Sequence, residues 1–402
     1  MAEKTKVNLS PNIILLGIVS FFNDLGSEMI MPILPMFIAS LGGGGIAIGL
    51  VGGIRESINS ILNIFSGYFS DRTGRRKEFV VWGYLSSSAF KLFLGLSRFW
   101  QQILIFSGLE RIGKGLRSAP RDAIIADSSL EKQRGRSFGI HRMFDTLGAV
   151  FGGIATVIVY WFLKFDFRAI ILTAAVISFF ALLPLILVKA KRNQPQSVTI
   201  SLGLKKLPQP LRAFILISSI FYLANFSYMF FILRAKVYFM TLYPERTANL
   251  IPIFLYILSN VVYALTSIPS GIISDKVGRR KVLACGYFLF ALTSLGFIFF
   301  ESLFAFIILF SLYGIVNALT DSNERAYVSD LAPQNLKATA LGTFHAAIGL
   351  VSLLEGVIIG FLWQKFSPNF AFIYGAVFTA LSGILLFIFK GHLDQKAQII
   401  SN

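Results

Sequence analysis

One stretch of the chain is present twice. Gly67-Tyr68-Phe69-Ser70-Asp71-Arg72-Thr73-Gly74-Arg75-Arg76-Lys77 returns 204 positions later as Gly271-Ile272-Ile273-Ser274-Asp275-Lys276-Val277-Gly278-Arg279-Arg280-Lys281. Each copy lies between two long apolar segments and reads as a basic turn closing a hydrophobic hairpin. A single such turn carries little information. Two in register mark a duplicated chain, whose fold is one unit built twice.

Composition tells what kind of unit this is. With 55% hydrophobic residues, 14% charged residues and a mean hydropathy of +0.70, the chain is far from a soluble domain of its length. A bilayer core about 30 Å thick takes roughly 20 apolar residues per helix. Twelve spans are expected, over 12–38, 46–69, 79–97, 101–122, 137–162, 168–189, 212–240, 248–274, 282–299, 303–327, 338–363 and 369–390. The first is longer than a signal-peptide core and is followed by no small-residue cleavage site, so it is expected to be retained. The lone Cys285 excludes a disulfide framework or a thiolate metal cluster.

A net charge of +17 could suit nucleic acid, but its distribution points elsewhere. With both termini cytoplasmic, the breaks on that side hold Lys4, Lys6, Arg72, Arg75, Arg76, Lys77, Lys132, Arg134, Arg136, Lys189, Lys191, Arg192, Lys205, Lys206, Lys276, Arg279, Arg280, Lys281, Lys337, Lys390 and Lys396. The opposite side holds only Arg98, Lys164, Arg168, Arg246 and Lys365. This is the positive-inside bias, and it assigns the basic excess to topology and to anionic membrane lipid. No nucleic-acid partner is expected. The longest polar stretch, 191–210, is expected to be a cytoplasmic linker between an amino-terminal bundle at 1–190 and a carboxyl-terminal bundle at 211–402.

The repeated G-x-x-x-D-[RK]-x-G-R-R-K loop resembles the loop signature of the major facilitator superfamily of secondary transporters, in a bacterial branch without an assigned substrate. The resemblance covers essentially the whole chain. It implies an all-α integral membrane fold of twelve transmembrane helices in two pseudo-symmetric six-helix bundles, placed in the cytoplasmic (inner) membrane. Gly67, Asp71, Arg72, Gly74, Arg75 and Arg76, with Asp275, Gly278, Arg279 and Arg280 in the second copy, match the positions thought in the superfamily to lock the cytoplasmic face of one conformation. A solvated turn that only sets topology is the plainer alternative. Lys276 stands where the first copy has Arg72, which weakens bidentate pairing there.

Charge inside the bilayer is expensive and therefore a functional hypothesis. The fourth span holds Glu110, Arg111, Lys114, Arg117 and Arg121, most of them on one face. At 1.5 Å per residue Glu110 and Arg111 lie about 15 Å from Trp100, near the midplane. Arg111-Ile112-Gly113-Lys114-Gly115 resembles the R-x-x-x-G motif of the superfamily's fourth helix, whose arginine is associated with proton coupling. Asp24 and Glu28 share a face of the first span, ahead of Pro32 and Pro35. Asp24, Glu28, Glu110, Arg111 and Asp145 are the proton-coupling candidates. Arg55, Glu56, Lys91, Lys114, His141, Arg142, Asn225, Tyr228, Asn260, Asn317 and His345 are the substrate-binding candidates, with Asn225 and Tyr228 expected on one helical face. Internal ion pairs and interhelical packing are the alternatives for each. Gly148 to Gly152 forms a G-x-x-x-G patch for close helix approach, and Gly153 departs from the proline of the superfamily's antiporter motif.

No nucleotide-binding loop, nucleophile elbow or metal-ligand spacing is present, so neither an enzyme nor a cofactor is expected. Energy then comes from an ion gradient or from the solute's own gradient. The expected activity is secondary transport of a small-molecule substrate, coupled to protons, by a monomer. Efflux of an amphipathic organic compound is favoured over uptake of an organic anion or a metal chelate such as a siderophore. A non-transporting sensor and a membrane enzyme are the other classes.

Overall fold

The computed structural model describes residues 10–129, 134–190, 203–204, 207–333 and 336–389. Lys4, Lys6, Lys132, Lys191, Arg192, Lys205, Lys206, Lys390 and Lys396, and most of the expected linker, lie outside the described residues.

Among the described residues the chain is helical throughout. The helices are α1 (Pro11–Ile30), α2 (Leu34–Ser40), α3 (Gly45–Thr73), α4 (Arg76–Gly95), α5 (Trp100–Asp127), α6 (Arg134–Trp161), α7 (Phe167–Phe179), α8 (Leu182–Leu187), α9 (Gln209–Tyr222), α10 (Tyr228–Phe239), α11 (Glu245–Val277), α12 (Arg279–Phe299), α13 (Leu303–Leu331), α14 (Lys337–Lys365) and α15 (Pro368–Ile388). They account for the twelve expected spans, three of which are broken. The first parts at Met31–Ile33, where Pro32 removes a backbone donor. The sixth parts at Phe180–Ala181, and the seventh at Leu223–Ser227. Eight helices are long and apolar enough to cross a membrane by length and composition among the described residues. Among those that fall short, α5 carries more charged residues than any other helix.

The described residues of Met1–Ile33, Ile61–Arg98 and Ile105–Thr199 make one compact unit, and those of Leu34–Ser60, Phe99–Leu104 and Ile200–Asn402 make the other. In the first, α1 packs on α6 and α7, and α4 packs on α7. In the second, α9 packs on α14, α12 on α15, and α11 on α13. First-on-fifth and third-on-sixth contacts therefore recur in the two halves of the sequence.

Glycine makes the first of these contacts close. A Cβ on Gly148 would lie 2.6 Å from the Phe21 carbonyl oxygen, and one on Gly152 2.5 Å from that of Leu25. The G-x-x-x-G patch thus seats α6 against the backbone of α1, as its spacing predicted.

Candidate functional site

The two basic turns are built alike. Gly74 and Gly278 have φ of 66° and 102°, a region that an L side chain rarely adopts, so each glycine lets one helix end and the next begin. Beyond the glycine the two copies part by one residue. Arg76 pairs with Asp71 at 2.7 Å and with Asp127 at 2.5 Å. The residue with those partners in the second copy is Arg279, which pairs with Asp275 at 3.1 Å and Asp330 at 2.5 Å. Lys77 donates to the carbonyls of Ile186 and Val188 near the end of the sixth span. Arg280 does the same to those of Phe387 and Phe389 at the end of the last. Structural equivalence therefore runs at an offset of 203, although the sequence motif aligns at 204.

The remaining motif arginines have humbler partners. Arg72 donates to Tyr68 at 3.0 Å, and Arg75 makes an exposed pair with Glu78 at 3.4 Å. The expected penalty of Lys276 standing for Arg72 is thus corrected: the carboxylate-clamping arginine of the second turn is Arg279, and it is present. Gly67 packs near Ala119, whereas Gly271 faces open space.

In the first unit, Ser20 is a hub. Its Oγ lies 3.2 Å from the Tyr84 hydroxyl and 3.1 Å from His141 Nε2, and it accepts from Arg121 at 3.1 Å. His141 Nδ1 approaches Asp145 Oδ2 at 3.5 Å, so the i, i+4 relation on α6 is realised. Arg121 also pairs with the half-exposed Asp122 at 3.0 Å and so links the buried Ser20 hub to the end of α5. Asp24, bonded to Asn23 at 3.1 Å, is near enough for its charge to act on Lys91, Lys114, His141 and Asp145. Five of the candidates therefore converge. Glu28 lies on the same helix, with its Cβ 2.9 Å from where a Cβ on Gly152 would stand.

Other candidates of this unit are held in place by neighbours. Lys91, 1% exposed, gives its three donors to the Asn23 carbonyl, Asn23 Oδ1 and Ser178 Oγ at 2.9–3.2 Å. It has no donor left for a solute in this arrangement. Glu110 accepts from Ser87 at 3.1 Å and pairs with Arg111 at 3.3 Å. Arg117 stacks 4.3 Å over the Tyr84 ring. Arg142 is largely exposed, 4.0 Å from Asp145.

The second unit repeats the hub with its charge inverted. Ser218 lies 3.2 Å from the Tyr287 hydroxyl, as Ser20 does from Tyr84. Where the first half has Arg121, the position 203 residues on is Glu324, which accepts from Tyr287 and Tyr222, each at 2.8 Å. Neither tyrosine pair nor Glu324 was among the residues singled out from sequence as a site. The signal was there, because the repeat continues past the turn once the offset of 203 is used.

The remaining candidates lie in this second unit and are dispersed. Arg55 and Glu56 stand on α3. Asn317 bonds Tyr313, and His345 stacks edgewise on Phe344 at 5.6 Å. Asn260 stands on α11. Asn225 lies in the break between α9 and α10, and Tyr228 opens α10 with its ring 5.0 Å from Tyr256. Their expected common helical face is overturned, because the chain between them is not helical. Among the described residues no group of three or more His, Cys, Asp or Glu could hold a metal.

The model of the family described as Major Facilitator Superfamily matches residues 16–258 and 246–399. An uncharacterized MFS-type transporter of Methanocaldococcus jannaschii is 53% identical over 94% of both chains. Multidrug resistance protein MdtH of Escherichia coli is 32% identical over a shorter stretch, 38% of this chain and 37% of that one. Among solved structures, nucleoside transporter NupG superposes with a TM-score of 0.76 at 14% identity, covering 94% of this chain and 100% of that one. Peptide transporter POT in complex with sulfate gives 0.72 at 13% identity, covering 94% and 93%.

Proposed function

The chain belongs to the major facilitator superfamily and is a multi-pass membrane transporter, and from that premise we propose that it works by alternating access, exchanges protons against its solute and exports an amphipathic organic compound. One observation carries the coupling. His141 stands 3.5 Å from Asp145 and 3.1 Å from Ser20, which accepts from Arg121 at 3.1 Å and lies one turn from Asp24 on α1, all inside an apolar membrane unit. Ionisable groups in such a place are costly and are kept for ion or proton movement. Asp24 and Asp145 are proposed to share the transported proton, Arg121 and His141 to respond to it through Ser20. Glu110 and Arg111 brace the fourth span beside them. The partial likeness to MdtH favours export over uptake. The basic turns are proposed to face the cytoplasm, with both termini on that side.

The solute is found first, by a thermal-shift screen of the purified protein against drugs, siderophores, organic acids and metals, since a ligand of the folded state raises the melting temperature. Asp24→Asn then separates coupling from binding. In proteoliposomes it should lose accumulation driven by a pH gradient and keep solute exchange. Undiminished accumulation would rule out Asp24 as a proton carrier.

A further inference from the structure

Two cavities open at the end of the first unit where the basic turn lies. The larger, about 590 Å³, is lined by Asn12 on α1, Arg76 on α4, Asp127 and Ser128 at the close of α5, Arg134 at the start of α6, and Lys189 beyond α8. The smaller, about 310 Å³, has walls from α4 and α8: Lys77, Val81, Leu85, Leu182, Leu185 and Ile186. Arg76 and Lys77, consecutive on the first turn of α4, thus line one cavity each. So do Ile186 and Lys189, three residues and at most about 10 Å apart along the chain.

The larger cavity is held open by hydrogen bonds and is positively charged. Asn12 donates to Ser128 Oγ at 3.1 Å and to the Lys189 carbonyl at 2.6 Å, and accepts from the Lys189 N–H at 3.0 Å. Asp127 is already held by Arg76 at 2.5 Å. Arg134 and Lys189 have no acidic partner among the described residues. Three cations against one carboxylate leave the lining positive. The turn does not need this lining for its own frame. In the second half Arg279 and Asp330 keep the clamp, yet at the offset of 203 Leu331 and Ala332 stand where the first half has Ser128 and Ser129. A polar, cationic lining present in one half alone calls for a ligand, and that ligand is an anion.

The groove selects which anion. Around it Leu183, Ile186 and Leu187 are 60%, 72% and 64% exposed, and Trp82, next to Val81 on α4, is 63% exposed. Such a surface belongs in hydrocarbon, so the groove faces the bilayer. Lys77 gives two of its three donors to the carbonyls of Ile186 and Val188, at 3.1 and 2.7 Å, and so keeps its ammonium beside the stretch that joins the two cavities. A soluble anion would leave the groove empty. A choline or ethanolamine head would bring a like charge to Arg134 and Lys189.

We propose that the larger cavity binds the phosphate of an anionic phospholipid and that the groove takes one of its hydrocarbon chains. Arg134 and Lys189 supply charge-assisted hydrogen bonds to the phosphate, and Lys77 its remaining donor. The site shares no residue with the Ser20 hub and does not rest on the transport reading.

The test is native mass spectrometry of the purified full chain, titrated in detergent with short-chain phosphatidylglycerol, phosphatidylcholine, glycerol phosphate and inorganic phosphate. The wild type should bind phosphatidylglycerol at least ~10-fold more tightly than phosphatidylcholine, and the two chainless anions should not compete. Arg134→Gln combined with Lys189→Gln should erase that preference. Lys164→Gln combined with Lys365→Gln, which removes the same charge at the other end of the spans, should keep it. Equal binding of both lipids by the wild type would mark an ordinary lipid annulus, and competition by glycerol phosphate or inorganic phosphate a soluble-anion site. Either result overturns the proposal, as does a preference that survives Arg134→Gln with Lys189→Gln. Where that double variant is not monodisperse, Ile186→Trp decides, since it fills the groove from an exposed position and leaves every charge in place. Weakened phosphatidylglycerol binding then supports the site, and undiminished binding overturns it.

Discussion

Arg76 holds two carboxylates at once, Asp71 at 2.7 Å and Asp127 at 2.5 Å, with its own side chain 13% exposed. A lysine has one point charge and no fork, so it cannot keep both partners. Arg76→Lys should lower the melting temperature by a few degrees in scanning fluorimetry. Arg75→Lys should leave it unchanged, since the exposed Arg75–Glu78 pair contributes ~0–1 kcal/mol. Equal shifts would mean that the turn acts as a diffuse basic patch. Lys91 offers a second contrast. Lys91→Met would strand the acceptors on Asn23 and Ser178, at a cost of about 1–3 kcal/mol. The expected signature is reduced stability with unchanged solute affinity, read by melting and by binding of the same preparation. At this scale the sequence was a fair guide to which residues carry charge and a poor one to whom they meet. His141 and Asp145 met because helical spacing dictates it. Ser20 as the hub of Tyr84, His141 and Arg121 depends on three other helices, and no local pattern encodes that.

Among elements, the glycine seam between α1 and α6 positions the hub. It sets the separation between the face of α1 carrying Ser20 and Asp24 and the face of α6 carrying His141 and Asp145. Gly148→Val must push Phe21 backbone, not a flexible side chain, and should abolish monodisperse protein on gel filtration. Gly139→Ala, with nothing within 4 Å of its Cβ, should elute like wild type. The same elution for both would show that the close approach is dispensable. The spans and both turns were legible from hydropathy and from the repeat, whereas the break at Pro32 falls inside a span expected to be continuous, although its proline supplies the cause. The break at Leu223–Ser227 was not legible, because packing around Glu355 and Ser227, not a helix-breaking residue, accompanies it. The common face expected for Asn225 and Tyr228 failed for that reason.

Across the whole molecule, duplication has preserved a frame and diverged in charge. Arg76 with Asp71 and Asp127 recurs as Arg279 with Asp275 and Asp330, and Ser20 with Tyr84 recurs as Ser218 with Tyr287. At the position where the first half has Arg121, the second has Glu324. Frame residues should therefore tolerate loss alike in both halves, so Asp127→Asn and Asp330→Asn should slow transport by similar factors in proteoliposomes. A large effect from one alone would show that only one turn takes part in the conformational change. The central claim is that solute and proton move against each other through this chain. Its most direct measurement is the internal pH of pyranine-loaded proteoliposomes after addition of a solute found by thermal shift. The account predicts that the solute, entering down its gradient, drives protons out and raises the internal pH, and that Asp24→Asn abolishes the signal while solute exchange continues. Solute entry with no change of internal pH in the wild type would contradict it.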